Sequence, residues 1–123
     1  RGMHFQNPPH EHTKLVCCTS GIILDVAIDL RVGSPSYLKH ISLKLSEKSG
    51  NMLYLPEGLA HGYYSLTKAT VAYNVSTVHV PEADTGILWN SIGMNWPDMS
   101  PITSERDTEF TTLENFQSPF KFT

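Results

Sequence analysis

Six histidines stand in a chain of 123 residues. The first lies in a stretch dense with functional side chains, Arg1-Gly2-Met3-His4-Phe5-Gln6. Side chains of these types set this close together look like part of a site. His10-Glu11-His12 adds a His-x-His pair, and His61 follows the turn Pro56-Glu57-Gly58. Imidazole also suits Zn and Fe(II), which makes His10, His12 and His61 a candidate metal set. Against it, Pro8-Pro9 places His10 and His12 on a turn and Lys14 adds an unwanted cation, so solvated loop histidines are the favoured reading. The two cysteines, Cys17 and Cys18, are sequence neighbours. On a strand their side chains point to opposite faces, which leaves packing as their role, excludes a disulfide framework and makes a reducing cytoplasm the expected compartment.

The elements that must position these groups read as strands. Lys14 to Thr19 is β-branched and apolar and ends at Ser20-Gly21. Gly21 to Leu30 is a longer apolar run interrupted by Asp25 and Asp29. After the turn Gly33-Ser34-Pro35-Ser36, His40 to Ser46 alternates apolar and polar residues at period two, the pattern of a half-buried strand. Further strands are expected at Met52 to Leu55, Gly62 to Leu66, Ala69 to Val75 and Thr77 to Val80, with a weaker one at Ile87 to Trp89. Apolar residues never recur at helical spacing beyond two turns, and one short helical turn is expected near Thr112 to Phe116. Many short strands with Gly/Pro turns predict an all-β sandwich or barrel, a jelly roll among the options.

Composition sets outer bounds. The length fits one domain, and 40% hydrophobic with 17% charged residues fits a packed core rather than a disordered chain. Nine Lys+Arg against twelve Asp+Glu give a net charge of -3, which argues against a nucleic-acid partner. No apolar run approaches the roughly 20 residues needed to cross a bilayer, so no membrane partner is expected.

Two resemblances sharpen this. The spacing Gly50, Pro56, Gly58, His61 resembles the second motif of the cupin superfamily, whose small jelly-roll barrels hold a site in the barrel mouth. More specifically, the chain resembles the dTDP-4-dehydrorhamnose 3,5-epimerase family. The matching blocks are Arg1 to Pro9, Lys14-Leu15-Val16, Asp25 to Arg31, Ser34-Pro35-Ser36-Tyr37, Leu55 to Gly62, Gly86 to Asn90, Trp96-Pro97 and Ile102 to Asp107. They are collinear and cover nearly the whole chain.

The resemblance implies an all-β cupin-type double-stranded β-helix and a cofactor-free, metal-free isomerase. Its substrate would be a nucleoside-diphosphate sugar, a dTDP-4-keto-6-deoxyhexose epimerised at C3 and C5. Such chemistry needs a base, a group that stabilises the enolate, and an acid across the ring. By resemblance His4 is the base, Asp107 its carboxylate partner, Lys14 the cation near the C4 oxygen, and Tyr73 the acid, since a phenol with pKa near 10 stays protonated at neutral pH. Arg1 and His61 are implied contacts to the sugar or diphosphate, Gln6 is a further polar contact, and Asp25 orients a histidine from behind.

The chain departs from the family where His12 replaces a usual Gln. It departs again where His79-Val80-Pro81 replaces a Tyr-x-Pro turn that helps hold the base, leaving His79 as the candidate contact there. The family's N-terminal strand segment, which carries nucleotide contacts, is expected to be missing or shortened, and the barrel is read as one domain over 1–123. A homodimer is expected by resemblance. The alternatives are a 3-epimerase or ketoisomerase on the same substrate class, a metal-binding cupin using His10, His12 and His61, and a non-catalytic sugar-nucleotide-binding cupin.

Overall fold

A strand buried on both faces organises the molecule. In the computed structural model, which describes residues 1–123, β3 (Ile22–Asp29) pairs with β4 (His40–Ser46) on one side and β6 (Leu59–Ser65) on the other. β6 then pairs with β1 (His4–Gln6), and β1 with β8 (Asp84–Gly86), giving a five-stranded antiparallel sheet in the order β4-β3-β6-β1-β8. β5 (Met52–Leu55), β2 (Lys14–Ser20) and β7 (Thr70–Val75) form a second antiparallel sheet with β2 at its centre.

Side chains alternate across a strand, so each strand of the large sheet serves two environments. One face carries Ile23, Ala27 and Leu45, which close against Val16, Cys18 and Leu55 of the small sheet. The opposite face carries Met3, Phe5, Val26, Ile28 and Ala60, covered by Ile87, Ile92, Trp96 and Phe120 of the C-terminal segment. Two cores on one sheet explain why Ile22 to Asp29 reads as a near-continuous apolar run. The polar residues inside that run, Asp25 and Asp29, are 0% and 4% exposed and are both held by partners.

The all-β expectation holds, with local corrections. Thr77 to Val80 is not a strand but an exposed loop, because Val80 donates its amide to the Gln6 side chain instead of a strand partner. Ile87 to Trp89 is not a strand either: pairing ends at Gly86, Ile87 makes one isolated bridge to Thr111, and a 3-10 turn runs from Trp89 to Ser91. The expected turn near Thr112 to Phe116 is a 3-10 turn at Leu113–Asn115. A four-residue helix, α1 (Glu105–Thr108), was not legible in the sequence; Ser104 caps it by accepting the Asp107 amide. No helix is long and apolar enough to cross a membrane.

Candidate active site

Met3-His4-Phe5-Gln6 alternates, and that alternation builds the site. Met3 and Phe5 enter the core beneath the C-terminal segment. His4 and Gln6 therefore take the other face, where His4 sits in register opposite His61 of β6. His61 is in turn opposite Ala27 of β3, one residue pair away from Asp25. The imidazoles thus line the inner face of the large sheet.

Each histidine has its own carboxylate. His4 Nε2 lies 2.6 Å from Asp107 Oδ1, and the second oxygen of Asp107 accepts the Gly2 amide at 3.0 Å. Asp107 is 1% exposed and reaches His4 from α1, more than a hundred residues away in sequence. His61 Nε2 lies 2.7 Å from Asp25 Oδ1, both groups being buried. Burial pushes the His4 pKa below that of free histidine and outweighs the opposing pull of Asp107. Burial acts against ionisation of Asp107, yet the His4 and Gly2 hydrogen bonds prevail and hold it below the usual carboxylate range. The two directions agree on one state: a neutral imidazole donating to a carboxylate, its second ring nitrogen left with a lone pair.

Lys14 and Tyr73 come from the small sheet. Lys14 opens β2 and Tyr73 pairs with Val16 from β7, so both project on the side of Val16, toward the large sheet. The Lys14 ammonium lies 5.8 Å from the centre of the Tyr73 ring. Burial lowers the Lys14 pKa from the ordinary lysine value, while Asp84 and Asp25 pull it back up. Tyr73 is 59% exposed.

The remaining candidates separate. Gln6, expected to contact substrate, is 2% exposed and spends both ends of its amide on loops: its nitrogen donates to the His10 carbonyl and its oxygen accepts from Val80. It ties the two rim loops together. His79 lies on that rim, exposed, with Nε2 2.9 Å from Asp84 Oδ2. Arg1 exchanges main-chain hydrogen bonds with Tyr63 at the edge of a cavity of about 660 Å³ that Trp89, Trp96, Thr103 and Asp107 also line. His10, His12 and His61 are not brought together, and no group of three or more His, Cys, Asp or Glu is placed to hold a metal ion.

Asp84 and Phe110 escaped the sequence reading. Asp84 is opposite Gln6 in the β1–β8 register, raises the Lys14 and His4 pKa values against burial, and bonds both His79 and Arg106. Phe110 packs edge-on against His4. Only the strand register could have pointed to the first, and nothing in the spacing pointed to the second.

With this geometry in place, the profile of the dTDP-4-dehydrorhamnose 3,5-epimerase family matches residues 1–115. The chain belongs to that family. Among its epimerase relatives, the dTDP-4-dehydrorhamnose 3,5-epimerase of Sinorhizobium fredii (strain NBRC 101917 / NGR234) is 42% identical over 99% of this chain and 65% of its own length. The dTDP-4-dehydrorhamnose 3-epimerase of Streptomyces niveus is 36% identical over 92% of this chain and 56% of its own. The crystal structure of dTDP-6-deoxy-D-glucose-3,5-epimerase from Legionella pneumophila Philadelphia 1, in complex with dTDP-4-keto-L-rhamnose, superposes with a TM-score of 0.92 at 28% identity. It covers all of this chain and 69% of that one. The chain thus spans less than two thirds of the length of these two curated relatives. The jelly-roll architecture expected for the epimerase family is the one observed.

Proposed function

We propose that this chain carries the catalytic core of a sugar-nucleotide 3,5-epimerase acting on a dTDP-4-keto-6-deoxyhexose. One observation carries the reading: a neutral His4 backed by the Asp107 carboxylate lies within reach of the Lys14 charge, and that ammonium sits 5.8 Å from the Tyr73 ring. The free ring nitrogen of His4 takes the proton from carbon α to the C4 ketone, and Asp107 stabilises the imidazolium that forms. The Lys14 cation stabilises the enolate oxygen that forms. Tyr73, on the facing sheet, delivers a proton to the opposite side of the ring, which inverts the carbon. His61, fixed by Asp25, and Arg1 hold the sugar and diphosphate. Base, cation and acid are all side chains, so the cycle is written without a cofactor.

A homodimer accompanies this reading. Ile41 and Leu43 of β4 lie in register with Ala27 and Asp25, on the inner face of the sheet, yet are 56% and 40% exposed. A second copy would cover that apolar edge.

Proton NMR of dTDP-4-keto-6-deoxyglucose incubated with the protein in D₂O tests the chemistry. Deuterium is expected at both C3 and C5, His4→Ala is expected to abolish its uptake, and Asp107→Asn to slow it by about 10³-fold or more. No exchange would sink the enzyme reading in favour of a binding protein. Exchange at C3 alone would assign the 3-epimerase activity named for the Streptomyces niveus relative.

A further inference from the structure

A hydrogen bond to one nitrogen fixes that end of an imidazole but leaves the ring free to swing about the bond. A base that must meet a carbon-bound proton needs its second nitrogen aimed as well. In this chain a second restraint meets the His4 ring. The Phe110 ring lies edge-on to it, centroids 5.7 Å apart and planes at 80°.

Three features hold Phe110 there. The first is Gly86, directly opposite His4 in the β1–β8 register. A Cβ on Gly86 would lie 2.6 Å and 2.8 Å from two Phe110 ring carbons, so the phenyl ring fills the space a side chain would take. The second is Arg106, whose guanidinium carbon sits 5.2 Å above the Phe110 ring and whose Nη2 donates to the Asp84 carbonyl at 3.0 Å. The third is the backbone beyond Phe110: Thr111 bridges Ile87 and accepts the Leu88 amide at 2.9 Å. One short segment, α1 and the three residues after it, therefore supplies both the carboxylate and the aromatic wall for His4.

We propose that Phe110 is a positioning residue for the base, locking the His4 imidazole in the orientation that Asp107 alone leaves open. This rests on the epimerase reading for its kinetic consequence, though not for its geometry. Phe110 also shields the ring from water. The charged or titratable groups around His4 are Asp107 from α1, Asp84 from β8, Lys14 from β2 and His61 from β6, with Arg106 beyond the phenyl ring. Burial is the largest influence on His4 and favours the neutral base. Loss of Phe110 readmits water and moves its pKa upward.

The experiment compares the parent with Phe110→Ala and Phe110→Tyr, with melting curves to confirm folding. Phe110→Ala is expected to lower kcat about tenfold or more while KM stays within about twofold, because orientation and not binding is lost. The acid limb of its kcat/KM profile is expected to move to higher pH, and Phe110→Tyr to restore both. If Phe110→Ala fails to fold, Phe110→Leu keeps the volume without the planar edge and is expected to show the same kcat loss. A raised KM with unchanged kcat, or an unmoved acid limb, overturns the proposal. The His4 ring-proton titration by NMR, assigned by its loss in His4→Gln, requires no turnover. A parent without deuterium exchange would therefore defeat the epimerase reading while this titration still decides on Phe110, an identical His4 pKa in parent and Phe110→Ala overturning it.

Discussion

At the scale of single residues, burial biases the charge of two site groups, His4 and Lys14. His4 is neutral because burial outweighs its carboxylate, and Lys14 is less firmly protonated than a free lysine because burial outweighs Asp84 and Asp25. Both shifts are downward. In the proposed reaction, proton abstraction requires neutral His4 and enolate stabilisation requires charged Lys14, so activity is expected to be lost below the first pKa and above the second. The acid limb is expected below the ordinary histidine value of about 6.5 and the alkaline limb below the ordinary lysine value of about 10.4. A kcat/KM profile measures both. Lys14→Arg is expected to remove the alkaline limb, since a guanidinium does not deprotonate in this range. An alkaline limb that survives the substitution would belong to another group.

At the scale of elements, the strands work as carriers that present alternate residues to the core and to the mouth. β1 is only three residues long, yet it sends Phe5 into one core and His4 and Gln6 to the other face. Its neighbour β8 must end in a residue without a side chain. In Gly86→Ala the new Cβ would lie 2.3 Å from the Met3 carbonyl oxygen and 2.6 Å from the Phe110 ring. A loss of about 1–3 kcal/mol is expected from this overpacking, read as a lower melting temperature, with strands β1 and β8 the first to lose amide protection. Element positions were largely legible in the sequence because period-two alternation is a backbone property. The failures are instructive: Thr77 to Val80 has strand composition but finds its hydrogen-bond partner in the Gln6 side chain. α1 is too short to show a period at all.

At the scale of the whole molecule, the C-terminal segment completes the outer core and supplies the carboxylate partner of His4. It covers the outer face of the large sheet and returns Asp107 to His4. Its last residues bridge back to Val32, just after Asp29, whose buried carboxylate is bonded by Arg31, Ser34 and Ser36. Burial acts to raise the Asp29 pKa, but those hydrogen bonds dominate and depress it far below the usual carboxylate range. A depressed folded-state pKa adds stability above the unfolded value, near 3.9, which is lost as pH falls toward the folded one. His4 contributes in the same direction below about pH 6.5, because the unfolded chain takes up a proton that the fold resists. Stability is thus expected to fall on acidification from pH 7, followed by urea unfolding. Asp29→Asn is expected to cost about 3 kcal/mol at pH 7 and to flatten the loss below pH 4. A parallel pH dependence in the variant would place the acid sensitivity elsewhere.

The all-β class, most strand positions and the Pro56-Glu57-Gly58 turn before His61 could be read from the chain alone, and motif resemblance named His4, Asp107, Lys14 and Tyr73 as candidates. These follow from local alternation, turn residues and motif blocks, which a one-dimensional reading can see. Tertiary structure alone decided that Asp25 serves His61, that Gln6 is spent on two loops, that Asp84 stands among the cations, and that Phe110 walls the His4 ring. Each of those depends on strand register and on a C-terminal segment folding back over distant residues. Such contacts are fixed by which faces bury together, and separation along the chain carries no trace of them.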